Sequence, residues 1–480
     1  MSETTSGSCS AGHVTINTLS DDDILHMFNF YRRISVDDYS AWRWYVLVHI
    51  CRRWRRIIFA YPGHLDLQLV CKSRTDVKMA LDIWPVLPIS IQASLYDDTD
   101  ADDIIGALEY HDRIGRINLR DLTQSKFDKC VALLQQPFPV LTSLYLITIN
   151  WEVAFVSTDV FLGGCAPRLK RISLNHVQLP ALPKLHSSAS GLVELILRNF
   201  QFSGSGYILP EAMATCLSLL TRLRSLTIEL QWHSAPPLPA SQCLPPLMPI
   251  VLPALTHFSL EGPTEYLEDL VARIETPLLD DGHLGLYGDP IFDNPRVPCF
   301  IHRTKMFKLL DRVAAQFWTA DVSFLLHSSI SPAKFHLTFP CTGLRIQVAL
   351  MERICTQFQI SFSHVEWLEL DGYLSLEHRW GLSTSWLGFL LPFTAMQTLH
   401  LSGKGIVSHV ARMLGGVTGE RATEVLPALN TIVLSCPRRK VSKVVLLLEA
   451  FVIAREHSGH PVVVQHDCPW ESDSSSSDFE

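Results

Sequence analysis

The chain has 480 residues, of which 47% are apolar and 18% are charged, and its formal net charge is −8. The charged fraction is below the roughly 25% of typical soluble domains, so the chain must bury a large core or present apolar surface to a partner. The length allows two or three domains or one extended repeat array. The negative charge gives no reason to expect a nucleic-acid-binding protein.

Residues 1–15 are small and polar, which predicts a disordered N-terminus without a secretory signal. The twelve cysteines form no C-x-x-C pair, and the sequence contains no N-x-S/T glycosylation sequon. No apolar run reaches the ~18 residues that indicate a membrane-spanning helix. We therefore expect reduced thiols and a cytoplasmic or nuclear protein that does not contact a membrane.

The first predicted helix begins after Ser20, its expected N-cap. Asp23 stands at the third helical position and forms an acidic variant of the capping box with Ser20. Leu19 and Ile24 have the spacing of a hydrophobic staple. The apolar face of this helix recurs at helical spacing, at Ile24, Leu25, Phe28 and Tyr31.

The stretch WYVLVHICRRWRRIIFA follows at residues 44–60, and its pattern predicts one continuous amphipathic helix. The apolar stripe consists of Trp44, Leu47, Cys51, Trp54 and Ile58. It is widened by Val46, Ile50 and Ile57, so that it covers about half the circumference, more than one packing surface needs. The arginines fill the remaining arc as a solvated flank. Nucleic-acid and membrane contacts are alternatives, but tryptophan on the apolar stripe and the preceding acidic helix favour a partner protein.

Beyond about residue 75, a phrase with the core L-x-x-L-x-L recurs eight times. It lies at 138–146, 166–174, 190–197, 220–228, 252–260, 364–370, 395–401 and 426–434. The first five copies are 23 to 32 residues apart, which is longer and less regular than the 20–29 residues of leucine-rich repeats. The L-x-L alternation predicts one strand per copy in a parallel sheet that lines a curved solenoid.

Segments such as PEAMATCLSLLTRL are expected as helices on the outer face of this solenoid, and one large α/β domain is the alternative. The asparagine that usually follows the strand of a leucine-rich repeat is missing, so other groups must stabilise the turns. VSKVVLLLEAFVIA predicts a buried helix near the C-terminus. The acidic, serine-rich residues 467–480 predict a disordered tail, in which Ser475 and Ser477 suit phosphorylation by an acidophilic kinase.

No phosphate-binding, dinucleotide-binding, nucleophile-elbow or zincin motif occurs in the sequence. Four residues match a calcium loop: Asp98, Asp100, Asp102 and Glu109. Asp103 stands where that loop needs glycine, so these acids are instead expected at the start of a helix over 102–114, after a strand within 87–96.

A second cluster comprises His457, His460, His466 and Cys468, whose spacing fits no zinc finger. We expect no metal, no cofactor and no enzymatic activity; an active site built from distant residues is the remaining alternative.

LSDDDILHMF followed by WYVLVHICRRWRRI resembles the F-box, whose pattern is L-P-x-x-x-L-x-x-I-F and then L-x-x-V-C-[RK]-x-W-[RK]. Ser20 replaces the usual proline, and Met27 replaces a frequent isoleucine. The whole chain is similar to basidiomycete F-box proteins with degenerate leucine repeats. The resemblance implies a helical F-box domain at 16–72 and an irregular leucine-rich-repeat-like domain at 73–466. It implies that the adaptor subunit is bound through residues among Leu19, Ile24, Leu25, Phe28, Leu47, Cys51, Trp54 and Ile57, some of which must instead pack the F-box onto the repeats.

The function implied by this resemblance is that of a substrate receptor in a cullin-RING ubiquitin ligase of the SCF type. The F-box would bind the adaptor and, through it, the cullin, while the repeat domain would bind an unidentified target protein. The chain would supply no chemistry of its own and would act by bringing the target close to the charged conjugating enzyme. The alternative is a repeat scaffold outside ubiquitin ligation, in which the F-box-like segment only caps the solenoid.

Overall fold

A computed structural model describes residues 16–33, 43–61, 68–72, 76–83, 87–95, 101–149, 155–156, 161–178, 185–200, 208–231, 248–288, 296–357, 362–372, 383–403, 405–419 and 421–467. The predictions for residues 1–15, for the tail with Ser475 and Ser477, and for Asp98, Asp100 and Cys468 lie outside these residues. Among the described residues, no helix combines the length and apolar character needed to cross a bilayer.

Three helices open the described part of the chain: α1 (Asp21–Arg33), α2 (Arg43–Ile50) and α3 (Arg52–Ala60). The predicted continuous helix over 44–59 is wrong, because Cys51 interrupts it with an extended backbone at φ −157° and ψ 167°. Its Sγ accepts a hydrogen bond from the backbone N–H of Trp54 at 3.5 Å and caps α3. Apolar periodicity did not reveal this break, since one extended residue barely disturbs a stripe that resumes one turn later.

The rest of the described chain is built on one sheet of sixteen strands. In chain order these are β1 (Leu69–Cys71), β2 (Ile89–Ser94), β3 (Ile114–Leu122), β4 (Ser143–Thr148), β5 (Arg171–Asn175), β6 (Glu194–Phe200), β7 (Ser225–Leu230), β8 (His257–Pro263), β9 (Asp281–Tyr287), β10 (Arg312–Phe317), β11 (Asp321–His327), β12 (Lys334–Pro340), β13 (Trp367–Gly372), β14 (Thr398–Ser402), β15 (Thr431–Ser435) and β16 (Val463–His466).

Neighbours in the sheet are neighbours in the chain, except that β10–β12 lie in reverse order between β9 and β13. All pairings are parallel apart from the two made by β11. The expected α/β class with a mostly parallel sheet is therefore confirmed, and all eight leucine phrases end in strands of this sheet. Strand β1 falls inside the range predicted to be helical, so the sheet begins before residue 73.

Helices connect most of the parallel strands. They are α4 (Val77–Ile83), α5 (Ala101–Leu108), α6 (Gln124–Leu133), α7 (Leu185–Ser188), α8 (Pro210–Ser218), α9 (Thr264–Ala272), α10 (Arg296–Arg303), α11 (Leu344–Gln357), α12 (Ser383–Leu390), α13 (Ile406–Gly415), α14 (Arg421–Glu424) and α15 (Arg438–His457). Short 3-10 turns lie at Ile16–Thr18, Phe161–Gly164 and Lys305–Leu309, and two-stranded parallel pairs join 155–156 to 177–178 and 250–251 to 274–275.

The core lies on the side of the sheet to which the leucines of the phrase point. In register across five neighbouring strands stand Leu146, Leu174, Leu197, Ile228 and Leu260, and all are buried. Each such side chain contributes roughly 1.5–3 kcal/mol relative to an exposed position. The residues between them, at the x of L-x-L, point to the opposite face and are half-buried.

Two helix predictions need correction. The helix expected over 102–114 ends at Leu108, and the chain turns into β3 at Ile114, because residues 114–122 alternate with the period of a strand. The helix containing VSKVVLLLEAFVIA, α15, is buried on one face only, and Leu446 on the other face is 68% exposed. Its wide apolar circumference had suggested complete burial.

Long buried side chains donate hydrogen bonds to carbonyl groups of several turns between strands. Arg455 is buried and donates from Nη1 to the carbonyl oxygens of Ala422 and Leu426 at 3.1 and 3.2 Å. Its Nη2 donates to the carbonyl oxygens of Pro427 and Leu429 at 3.3 and 2.7 Å. One guanidinium thereby donates hydrogen bonds to the carbonyl groups of the turn that leads into β15. In this turn Leu426 has a left-handed backbone at φ 57°.

Other buried side chains along the sheet also donate hydrogen bonds to turn carbonyls. Gln347 is buried, and its Nε2 donates to the carbonyl oxygens of Trp318, Asp321 and Cys341 at 2.7, 3.0 and 3.0 Å. Lys126 is also buried and donates from Nζ to the carbonyl oxygen of Leu95 at 2.7 Å. Since unpaired buried carbonyls are costly, these side chains stabilise turns for which the repeat pattern supplies no partner.

Candidate functional site

Helices α1, α2 and α3 form a small packing unit, the three-helix module. Five of the eight residues predicted to contact an adaptor are buried in it, namely Ile24, Leu25, Phe28, Leu47 and Ile57. Leu19 and Trp54 are half-buried, and Cys51 is exposed as the cap of α3. The rings of Phe28 and Trp54 meet edge to face, with centroids 4.8 Å apart. The side chain of Trp44 lies outside the described part of the chain.

The predicted capping box at the start of α1 is confirmed. The backbone N–H of Asp23 donates to Ser20 Oγ at 3.1 Å, and the backbone N–H of Ser20 donates to Asp23 Oδ2 at 3.0 Å. The Ser20 hydroxyl also donates to Asp23 Oδ2 at 2.6 Å. These hydrogen bonds with Ser20 lower the pKa of the Asp23 carboxyl. Serine thus starts this helix by hydrogen bonding where proline would start it by its fixed backbone angle.

The arginines of RRWRR were expected to be a solvated flank; Arg52, Arg55 and Arg56 are exposed, but Arg53 is half-buried, and Arg53 and Arg55 both bond within the module. Arg53 donates from Nε and Nη2 to Asp21 Oδ1 at 3.0 and 2.7 Å, and from Nη2 to the carbonyl oxygen of Leu19 at 2.6 Å. Arg55 donates from Nε to the carbonyl oxygen of Val48 at 2.9 Å. Arg53 therefore links α3 to the first turn of α1, and Arg55 links α3 to α2, which holds the module together from its rim.

Apolar side chains remain in solvent on the first two helices of the module. Phe30 on α1 is 68% exposed, and Met27 lies one turn before it on the same exposed side. On α2, Val46 is 58% and Ile50 54% exposed, again one turn apart. We call these four residues the apolar patch residues. Val46 and Ile50 belong to the apolar sector that was predicted to be wider than one packing surface, but none of the four was among the residues predicted to contact the adaptor.

The face of the sheet opposite the core carries polar side chains at the x positions of the leucine phrase. One cluster lies across β8, β9 and β12. Tyr287 donates its hydroxyl to Glu261 Oε2 at 2.6 Å, and His283 Nδ1 lies 3.3 Å from Glu261 Oε1. His283 Nε2 is 3.2 Å from Thr338 Oγ1, and the ring of His336 stacks on that of His283 at 4.9 Å.

Burial controls the protonation of this cluster. It lowers the pKa of His336 to about 4 and also lowers the pKa of His283, so both rings are neutral at pH 7. Burial and the hydrogen bond to Glu261 raise the pKa of Tyr287. Gly285 stands beside Glu261 in register, and a Cβ there would come within 2.8 Å of Glu261 Cγ. Glycine therefore leaves the space in which the Glu261 side chain lies.

A second polar cluster lies across β13, β14 and β15. His400 Nε2 is 2.8 Å from Ser435 Oγ, and His400 Nδ1 is 3.3 Å from Glu369 Oε1. Ser402 donates from Oγ to Asp371 Oδ1 at 2.9 Å. This hydroxyl–imidazole–carboxylate order resembles the arrangement that activates nucleophilic serines. However, His400 Nδ1 has no hydrogen bond of acceptable geometry to any described group, and such a bond is what orients the imidazole in that mechanism.

The two clusters repeat one arrangement, since His283 contacts Ser259 as well as Glu261 across neighbouring strands. The repetition indicates a polar ladder that satisfies the side chains of this face and offers hydroxyls, imidazoles and carboxylates to a ligand. Contacting members on neighbouring strands lie 24 to 55 residues apart in the chain, so no local motif reveals them. For Ser259, Glu369 and His400 the available signal was their position at the x of a leucine phrase, which predicts a shared face, whereas β9 and β12 carry none of the eight phrases.

The described residues include no group of three or more histidine, cysteine, aspartate or glutamate side chains placed to hold a metal ion. No protein-family model matches the sequence, and a search of curated proteins also finds no match.

Proposed function

We propose that the chain is the substrate-recognition subunit of a cullin-RING ubiquitin ligase of the SCF type. The three-helix module binds the adaptor subunit and thereby the cullin. The polar face of the sheet holds a target protein. The chain contributes position rather than chemistry, because it raises the effective concentration of a target lysine near the charged conjugating enzyme.

The observation that carries this proposal is the exposure of the apolar patch residues. Met27, Phe30, Val46 and Ile50 lie on two helices whose other apolar residues fill the module's own core. An isolated exposed apolar residue is ordinary, but two helices each presenting an apolar face fit a surface that a partner helix covers. The capping box and the Arg53 bridge hold α1 and α3 in fixed positions before any partner binds, which lowers the entropic cost of docking.

The polar face of the sheet suits the target-binding role for a different reason. Its side chains, such as Glu261, His283 and Glu369, are half-buried and hydrogen-bonded to one another, so they are ordered in advance of binding. Mixed donors and acceptors at fixed spacing across parallel strands favour recognition of a specific protein surface. In the leucine-rich-repeat-like solenoid that we propose, this face would be the concave one.

The second candidate function is a repeat scaffold that acts outside ubiquitin ligation and uses the module only as its N-terminal cap. One observation favours it: the module's buried residues, such as Ile57, belong to the same continuous hydrophobic core as β1 and β2. A capping unit needs this continuity, because it must cover the end of the core.

The test is a binding assay between the full chain and a purified SCF adaptor subunit. We expect the wild type to bind and the double variant Phe30→Ser/Ile50→Ser to lose at least tenfold in affinity, since both side chains are lost from the docking surface. The matched control is Ile330→Ser/Leu446→Ser, which changes two equally exposed apolar residues on the sheet region and should bind like wild type. If the wild-type chain does not bind the adaptor, the proposed ligase function is wrong and the repeat scaffold is the better supported function.

A further inference from the structure

A basic cleft of about 600 Å³ lies at the amino ends of β3, β4 and β5, three or more strands away from the two polar clusters. Its volume is in the range of small-molecule sites. The charged residues that line it are Asp112, Arg113, Arg116, Arg168, Lys170 and Arg171. Five cations and one acid thus surround a single cleft, although the chain as a whole has a net charge of −8.

The register of the sheet brings these cations together from distant parts of the chain. Arg116 pairs in register with Ser143 on the next strand, and Ser143 pairs with Arg171 on the strand after that. Two strand spacings separate the arginines by roughly 10 Å, with only a small serine between them. The turn before β5 adds Arg168 and Lys170, and the backbone N–H of Lys170 donates to the carbonyl oxygen of Thr142 at the cleft wall.

The positive charge of the cleft is only partly compensated within the chain. Arg113 donates to the carbonyl oxygen of Leu87, and Arg171 pairs with Glu194 at 3.3 Å. Arg168 and Lys170 are exposed and form no ion pair with another described residue. Gathering like charges in one place is unfavourable unless an anion offsets it.

We propose that this cleft binds a small ligand that carries several phosphate groups. Each phosphate brings about two negative charges, so such a ligand neutralises the excess charge of the cleft within its volume. A carboxylate brings only one charge and two acceptor oxygens, whereas a phosphate group offers three acceptor oxygens. Guanidinium forks hold phosphate oxygens by paired charge-assisted hydrogen bonds, and Lys170 adds a point charge. This site is independent of adaptor binding and of the proposed ligase role.

Isothermal titration calorimetry with inorganic tripolyphosphate tests the proposal on the full chain. We expect the wild type to bind, and Arg168→Glu/Lys170→Glu to bind at least tenfold more weakly. The matched control is Arg439→Glu/Lys440→Glu on α15, which makes the same change in net charge at two exposed positions and should bind like wild type. Equal weakening in both double variants would overturn the proposal, because only net charge would then matter.

The source of the phosphates is distinguished by a second arm. Cosedimentation with phosphatidylcholine vesicles that contain a phosphatidylinositol phosphate, and not with phosphatidylcholine alone, would assign a lipid headgroup as the ligand. Tripolyphosphate binding without vesicle binding would assign a soluble polyphosphate. If neither tripolyphosphate nor these vesicles bind the wild type, or if Arg168→Glu/Lys170→Glu binds as tightly as wild type, the cleft is not a phosphate site. Thermal melting of each variant checks that it is folded.

Discussion

In the sheet, the leucines of the repeated phrase are buried almost without exception, and buried turn carbonyls are matched by side chains such as Arg455 and Gln347. In the three-helix module, by contrast, Phe30 and Ile50 lie in solvent, and the module is held by the half-exposed bridge from Arg53 to Asp21. Both regions leave some apolar side chains in solvent, such as Ile330 and Leu446 in the sheet region, but on α1 and α2 these side chains lie in pairs one turn apart. The difference separates stability from recognition: losses in the sheet should unfold the protein, and losses on the module's surface should affect only binding.

The largest effect is expected at Arg455. Arg455→Met keeps much of the side-chain volume but removes all four hydrogen bonds to the turn carbonyls, of which that of Leu426 keeps the backbone N–H of Leu429 as a donor, so we expect the free energy of unfolding to fall by about 4 kcal/mol. Urea denaturation measures this change. Arg439→Met on the exposed side of the same helix is the control and should change stability by less than about 0.5 kcal/mol. A small effect of Arg455→Met would mean that the turn is held by its backbone alone.

Phe28 tests the interior of the module. Phe28→Ala removes a buried ring that packs against Trp54, and we expect a loss of about 3 kcal/mol. Hydrogen exchange should show faster exchange in α1–α3 and unchanged protection in β4–β9. Phe30→Ala changes the same residue type at an exposed position of the same helix and should leave exchange as it is. Equal effects of the two substitutions would contradict the division between core and apolar patch residues.

Glu268 on α9 is one of several buried polar groups of the sheet region with an atom that has no hydrogen-bond partner among the described residues. Burial raises the pKa of its carboxyl from 4.5 to about 7, and Oε1 accepts no hydrogen bond from a described residue. The pKa of this carboxyl is higher in the folded state, so between about pH 4.5 and pH 7 the folded state holds a proton that the unfolded state has lost. The free energy of unfolding therefore falls as pH rises through this range. We expect Glu268→Gln to change little at pH 5 and to stabilise the protein at pH 8 by up to about 3 kcal/mol.

Urea denaturation at the two pH values measures this difference. Asp269→Asn is a poor comparison because Asp269 pairs with Arg273 and Arg296, whereas Glu265→Gln on the exposed side of α9 is a suitable control and should show no such pH dependence. If Glu268→Gln is equally stable relative to wild type at both pH values, the carboxyl is solvated rather than buried.

The smallest effect is expected at the helix cap. Ser20→Ala removes the hydroxyl that accepts from the Asp23 N–H and donates to its carboxylate, and we expect a loss of about 1 kcal/mol. Circular dichroism during urea denaturation measures it. Ser20→Pro, which restores the residue usual in the F-box, should cost at least as much as Ser20→Ala, because it also removes the backbone N–H that donates to Asp23 Oδ2. A smaller loss with proline would indicate that the backbone angle matters more than the capping hydrogen bonds.

The residues explain which features were predictable from sequence. Leucines such as Leu174 and Leu260 mark strands because alternation is a local signal, and the Ser20 cap depends only on residues three positions apart. The break at Cys51 could not be predicted, because a thiol is an uncommon cap and the apolar stripe runs through it. Strands β10–β12 carry no leucine phrase, so their reversed order was not foreseen.

The residues of the candidate sites were harder to predict, because their roles depend on contacts between distant parts of the chain. Apolar stripes identify residues that avoid water but not what covers them, so Phe28 and Phe30 cannot be assigned to core and surface by type. The polar ladder and the basic cleft depend on register between strands, as between Arg116 and Arg171, and a sequence contains that information only when the strand order is known.

The reversed strands β10–β12 have a consequence for how the chain folds. Elsewhere each strand meets its neighbour soon after synthesis, but the free edge of β9 must wait for β12, and Asp281 pairs with Lys334. Until β12 has been synthesised, β9 presents unpaired backbone N–H and C=O groups. Such a free edge can pair with another chain. Strand β10 is in turn completed by β13, where Arg312 pairs with Trp367. The sheet therefore forms in two stretches of sequential pairing, and the segment between them is where folding during synthesis is slowest and most exposed to error.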